Sequence, residues 1–76
     1  MKQRGTRCHR ALMTVLGQVR EEAGLSQRAV SAKLRRPINF SHLVESGERT
    51  LSVCEFIEYV SALGADPVKV LRRVME

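Results

Sequence analysis

The chain has 76 residues, 43% hydrophobic but only 4% aromatic and without tryptophan, and carries a formal charge of +5 from thirteen basic and eight acidic side chains. That length supports one domain around one aliphatic core, near the lower limit for a fold without staples. It excludes a membrane span, since no apolar run approaches the ~20 residues that one needs.

The N-terminus is basic, but no long apolar stretch follows it as a signal peptide requires, so the expected compartment is the cytoplasm. Cys8 and Cys54 stand far apart without a CxxC partner, and His9 and His42 do not complete a zinc-ligand spacing. Neither a disulfide scaffold, a metal site nor a cofactor is expected. The positive charge suits nucleic acid, the commonest large polyanion in a cytoplasm, and equally suits a basic surface that only keeps a small protein soluble.

Taken in chain order, Lys2, Arg4, Arg7 and Arg10 fall in ten residues without an acid, and residues 1–8 read as a flexible basic arm ahead of a single domain over 9–76. Residues 9–23 place Leu12, Leu16, Val19 and Ala23 on one face of a first helix, which Gly24 ends in a left-handed stop with Leu25 folding back. Ser26 caps a second helix, with Val30 and Leu34 inward and Arg28, Lys33 and Arg35 outward. Pro37 ends that helix near Leu34 or Arg35, because the residue before a proline is steered out of helical angles.

A short third helix is expected over residues 38–46, closed by Gly47, with a loop over 48–51 behind it. Ser52 and Glu55 form a capping box at the start of a fourth helix, whose stripe is Val53, Phe56, Ile57, Val60 and Leu63. Gly64 ends it. Asp66-Pro67 opens a fifth helix with an N-cap and a first-turn proline, with Val68, Leu71 and Met75 expected inward. No segment alternates with the period of a strand. The expected class is all-α.

Two helices joined by a turn of about four residues make a helix-turn-helix. The stretches GLSQRAVSAKL, RRPINF, VESGERTLSVCEF and ALGADP resemble, over about residues 12–72, the Cro and phage-repressor family of helix-turn-helix domains, the Xre type. The resemblance implies a compact five-helix, lambda-repressor-like domain. It also implies a sequence-specific double-stranded DNA-binding protein, a transcriptional repressor or regulator acting as a homodimer. A protein-interaction module that has lost base readout and docks through Ile38 and Leu43 is the alternative reading.

By the same resemblance, Gln27 contacts a DNA phosphate and braces the reading helix, where a helix N-terminus favours an anion. Arg20 and Glu45 match a salt bridge tying the first helix to the third. Base-facing positions fall on Ile38, Asn39, His42 and Leu43. An asparagine can pair bidentately with adenine, and an apolar tip can meet a thymine methyl. His42 is equally a plain exposed residue, and Ile38 has packing against the second helix as its alternative. Arg28, Arg36 and Arg49 are candidates for the phosphate backbone, which positions a protein without reading sequence.

Three positions depart from the family pattern. Ser41 stands where a buried Ile or Val is usual, Leu43 where a polar reader is usual, and Arg35 at the customary turn glycine. Either the third helix is rotated, burying Leu43 and turning Ser41 out, or Leu43 stays exposed. The dimer patch is expected on Val70, Val74 and the end of the fourth helix. An enzyme is the least expected class. Glu55 and Glu58 lie on a helix surface, no nucleophile stands beside a base, and no small-molecule substrate is expected in so short a chain.

Overall fold

The computed structural model describes residues 6–76. Helix α1 (Arg7–Glu22) starts where the Thr6 hydroxyl accepts the His9 N–H at 3.0 Å. That start lies two residues ahead of the expected one and takes Arg7 and Cys8 out of the segment expected as an arm; Lys2 and Arg4 lie outside the described residues. Helix α2 (Gln27–Lys33) is capped by Ser26, which accepts the Ala29 N–H at 3.0 Å. Helix α3 (Phe40–Ser46) begins later than expected, because the Pro37 carbonyl accepts the Phe40 N–H at 2.9 Å and folds Ile38 and Asn39 into a turn. Helix α4 (Val53–Ala62) opens on the full Ser52–Glu55 capping box, and α5 (Pro67–Met75) on Asp66, whose carboxylate accepts the Val68 N–H at 2.9 Å.

The turn between α2 and α3 uses an unusual residue. Leu34 closes α2, and then the Arg35 N–H donates to Ala32 O and the Arg36 N–H to Ser31 O, both at 3.0 Å. This paired return to the last turn needs a left-handed residue, normally glycine. Arg35 adopts it with φ of 56°, the one non-glycine among the described residues to do so. Pro37 follows and prevents the helix from resuming.

The core is aliphatic with two aromatic rings. Val15, Leu16 and Val19 of α1 meet Val30 of α2, Phe40 and Val44 of α3, Tyr59, Val60 and Leu63 from α4 and its end, and Val70 and Val74 of α5. Helix α1 packs along α5 and against α3, α2 lies on α3, and α4 closes over α5 and α2. Ala23, expected inward, is exposed at the end of α1.

The rolls of the last two helices differ from expectation. Val70 and Val74, expected on the surface, are 3% and 8% exposed, whereas Val68 and Leu71, expected inward, are 59% and 47% exposed; Met75 is also exposed. Both sets are helical stripes, so spacing alone does not choose between them. The observed roll also sets Arg73, half-buried, against α1, where it donates to Gln18 Oε1 and Glu22 Oε1 at 3.1 Å. In α4 the inward arc is Phe56, Tyr59, Val60 and Leu63, and Val53 and Ile57 are left in water. Tyr59, outside the expected stripe, is fully buried, and its hydroxyl finds its partner on α3 rather than on its own helix.

Candidate functional site

Where α1, α2 and α3 converge, one carboxylate holds all three. Arg20 Nε lies 2.5 Å from Glu45 Oε2 and Arg20 Nη2 lies 3.2 Å from Oε1, while Gln27 Nε2 donates to the same Oε1 at 3.0 Å. Arg20 Nη1 spends a further donor on the Leu25 carbonyl at 2.8 Å. The two charged side chains are 14% and 13% exposed. The hydrogen bond to Glu45 outweighs burial and raises the Arg20 pKa. Removing either partner would strand the other charge, a loss of about 3–5 kcal/mol. Gly17 permits the approach, since a Cβ there would stand 3.3 Å from Glu45 Oε1. Gln27 and Gly17 thus serve the same joint, and Gly17 carried no signal beyond being a glycine inside a helix.

Ser41 is fully buried, so α3 is not rotated to turn it outward. Its hydroxyl shares a 2.6 Å hydrogen bond with the Tyr59 hydroxyl, and its N–H donates to the Ser31 hydroxyl at 2.9 Å. Burial pushes the Tyr59 pKa up and the Ser41 bond opposes it, so the phenol stays protonated. A small polar side chain stands here because α4 brings a phenol to it and α2 a second hydroxyl. With Ser41 inside, Phe40 and Val44 fill the core on either side and Leu43 is half-buried at the margin. Phe40, Leu43 and Val44, spaced i, i+3 and i+4, are therefore buried at two positions of three.

This roll leaves Ile38, Asn39 and His42 exposed at the N-terminal end of α3. Ile38 is 61% exposed and does not pack against α2. Asn39 is the N-cap of α3 but makes no side-chain cap bond, which leaves its amide unused by the helix. Arg28, on the first turn of α2, is exposed as well.

Arg36 and Arg49 are engaged within the chain. Arg36 Nη2 donates to Glu55 Oε2 at 3.0 Å, and Arg49 grips both oxygens, Nη1 to Oε1 at 3.1 Å and Nη2 to Oε2 at 2.6 Å. Arg49 also donates to the Thr50 carbonyl. Both guanidinium groups lie over the Phe40 ring, 4.9 and 5.5 Å from its centre, within the range of a cation–π contact. Glu55 accepts the Ser52 N–H at 2.9 Å besides. The Arg49 hydrogen bonds first, and the Ser52 N–H next, hold the Glu55 carboxyl down to about 2. The sequence shows Glu55 only as half of a capping box; its second role depends on the α2–α3 turn and the α3–α4 loop arriving on the same side of Phe40.

Together these side chains offer the exposed tips of Ile38, Asn39 and His42 beside guanidinium groups. Such a surface can form directed hydrogen bonds beside a polyanion. No group of His, Cys, Asp or Glu able to hold a metal occurs among the described residues, and Cys8 and Cys54 are exposed free thiols. No helix among the described residues is long and apolar enough to cross a membrane.

No family model matches the chain, and no curated protein does. Among solved structures it is similar to an XRE-family like protein from Pseudomonas syringae pv. tomato, with 34% sequence identity and a TM-score of 0.84 over 90% of this chain and 83% of that one. The α2–turn–α3 unit, the Arg20–Glu45 joint beneath it and a likeness of that extent make this chain a member of the XRE family of helix-turn-helix proteins.

Proposed function

We propose that the chain is a non-catalytic transcription regulator, a repressor in the simplest case, that binds double-stranded DNA sequence-specifically as a homodimer. The observation that carries this reading is a charge asymmetry. Residues 25–44, which span α2, the turn and most of α3, contain Arg28, Lys33, Arg35 and Arg36 and no carboxylate. Among the described residues, only Arg36 of these four is paired with an acid. Such a face attracts phosphate, while Ile38, Asn39 and His42 at its centre supply what a base edge or a thymine methyl can recognise. Leu43, half-buried, belongs to the rim of that contact. No metal, cofactor or small-molecule substrate enters this reading.

The dimer is assigned to the face that α4 and α5 leave in water. Val53, Ile57, Val68 and Leu71, with Phe56 and Pro67 at the base, line an apolar groove of ≈ 340 Å³. Large apolar side chains gathered in one patch mark an interaction surface more than scattered ones do. Glu58 of α4 and Lys69 and Arg72 of α5 are exposed on the same two helices. A two-fold axis along the groove would set α4 of one copy on α5 of the other and cover the exposed apolar side chains of both.

Selection of bound sequences from a random duplex library tests the whole reading. Enrichment of a two-fold symmetric motif, with affinity falling steeply as salt rises, is the expected outcome. Uniform weak binding without a motif would reject sequence-specific regulation. Capture of a protein partner through Ile38, with no duplex binding, would instead favour the interaction-module alternative.

A further inference from the structure

Two arginines from different segments converge on one carboxylate at the foot of the α3 surface. Arg36 comes from the α2–α3 turn and Arg49 from the α3–α4 loop, and both meet over the ring of Phe40, the first residue of α3. Two guanidinium groups so placed repel each other unless an anion lies between them. The anion present is Glu55, at 3.0 Å from Arg36 and 2.6 Å from Arg49. A carboxylate and a phosphate offer a guanidinium fork the same kind of paired oxygens. The arginine side chains are 39% and 38% exposed, twice the 20% of Glu55. Their outer donors therefore face water while the carboxylate fills the space between them.

We propose that Glu55 occupies a two-arginine anion seat and competes with the DNA backbone for it, so that duplex binding draws Arg36, and then Arg49, from Glu55 to phosphate. The order follows from the contacts. Arg36 makes one hydrogen bond to the carboxylate, whereas Arg49 makes two and is anchored to the Thr50 carbonyl besides. The cluster of two cations and one anion keeps a net positive charge, so it still attracts phosphate while Glu55 lowers the gain from binding it. Because the carboxyl stays ionised down to about pH 2, the competition persists across the physiological range. Its effect is to hold down the sequence-independent part of affinity, which raises the ratio of specific to non-specific binding.

This inference rests on the DNA-binding reading above. The test measures binding of a fixed duplex of arbitrary sequence against salt concentration for the wild-type chain, Glu55→Gln and Glu21→Gln. Glutamine serves the third position of a capping box, so Glu55→Gln removes the charge while leaving α4 its start. Glu21→Gln removes an equal charge from an exposed position on α1. Glu55→Gln should bind several-fold more tightly and steepen the salt slope by about one to two units, at ~0.9 per phosphate gained. Glu21→Gln should leave the slope unchanged.

An unchanged or shallower slope in Glu55→Gln, or an equal gain in both variants, overturns the proposal while DNA binding itself stands. Absence of duplex binding by the wild type and by Glu55→Gln alike overturns both. Should Glu55→Gln not fold, the Nε–Hε signals of Arg36 and Arg49 in the wild-type chain read the same exchange. Arg36 should shift first as duplex is added, and signals that stay fixed at saturation overturn the proposal.

Discussion

Arg35 holds φ of 56° at the end of α2, a conformation that costs a residue with a Cβ roughly 1–2 kcal/mol. Glycine would remove that cost but lose about 0.5–1 kcal/mol of backbone entropy on folding, so relief of strain wins by a small margin. Arg35→Gly should therefore stabilise the fold by about 0.5–1 kcal/mol and raise Tm by a few degrees. A melt that shows no gain would mean that the arginine stem contributes packing that offsets the strain. The same scale separates readers from grips. Asn39→Ala should relax preference at one base position and cost about 1–3 kcal/mol there, whereas Arg28→Ala should weaken all duplexes alike and lower the salt slope by about one. Affinity profiles over single-base variants of the selected site would distinguish them, and equal profiles for the two variants would contradict this division of roles.

Helix elements are joined here by polar contacts that read as surface features in one dimension. Ser31 of α2, Ser41 of α3 and Tyr59 of α4 form a buried chain of hydrogen bonds. Ser41→Ala leaves the Tyr59 hydroxyl without its partner, and Tyr59→Phe does the same to Ser41, each at a cost of about 1–3 kcal/mol. The double variant leaves neither group stranded, so its cost should fall well below the sum of the two. Denaturation of the four proteins in the cycle checks this, and strict additivity would show that the 2.6 Å contact contributes nothing to stability. Such contacts also explain what was legible in the sequence. The five helices, the caps at Ser26, Ser52 and Asp66, and the stops at Gly24, Gly47 and Gly64 were readable because a cap or a stop is a local bargain among neighbouring residues. The rolls of α4 and α5 were not, because Tyr59 and Arg73 are placed by partners 18 and more residues away. Read alone, each looks like an amphipathic or charged residue for the outside. The departure at Ser41 was visible as a departure; its cause lay in Tyr59.

At the scale of the molecule, the rolls of α4 and α5 have one consequence. Turning Val53 and Ile57 out of α4 and Val68 and Leu71 out of α5 brings four apolar side chains from two helices into one groove. That groove is lined by residues of α4 and α5, whereas the residues proposed to read bases belong to α3 and the turn before it, so pairing through the groove would leave both proposed reading surfaces open to DNA. Leu71→Glu tests this arrangement at little cost to the monomer, because the side chain is 47% exposed to begin with. In a dimer the same change buries a charge against apolar neighbours and should weaken self-association by about 2–3 kcal/mol, roughly 30- to 150-fold. Sedimentation equilibrium should find the wild type dimeric and the variant monomeric at the same concentration. Affinity for a single half-site should be unchanged in the variant, while affinity for the two-fold site should fall, because the second reading helix is no longer held one turn of the duplex away. A variant that remains dimeric, or one that loses half-site and full-site binding in equal measure, would place the dimer contact elsewhere or make Leu71 part of the DNA surface.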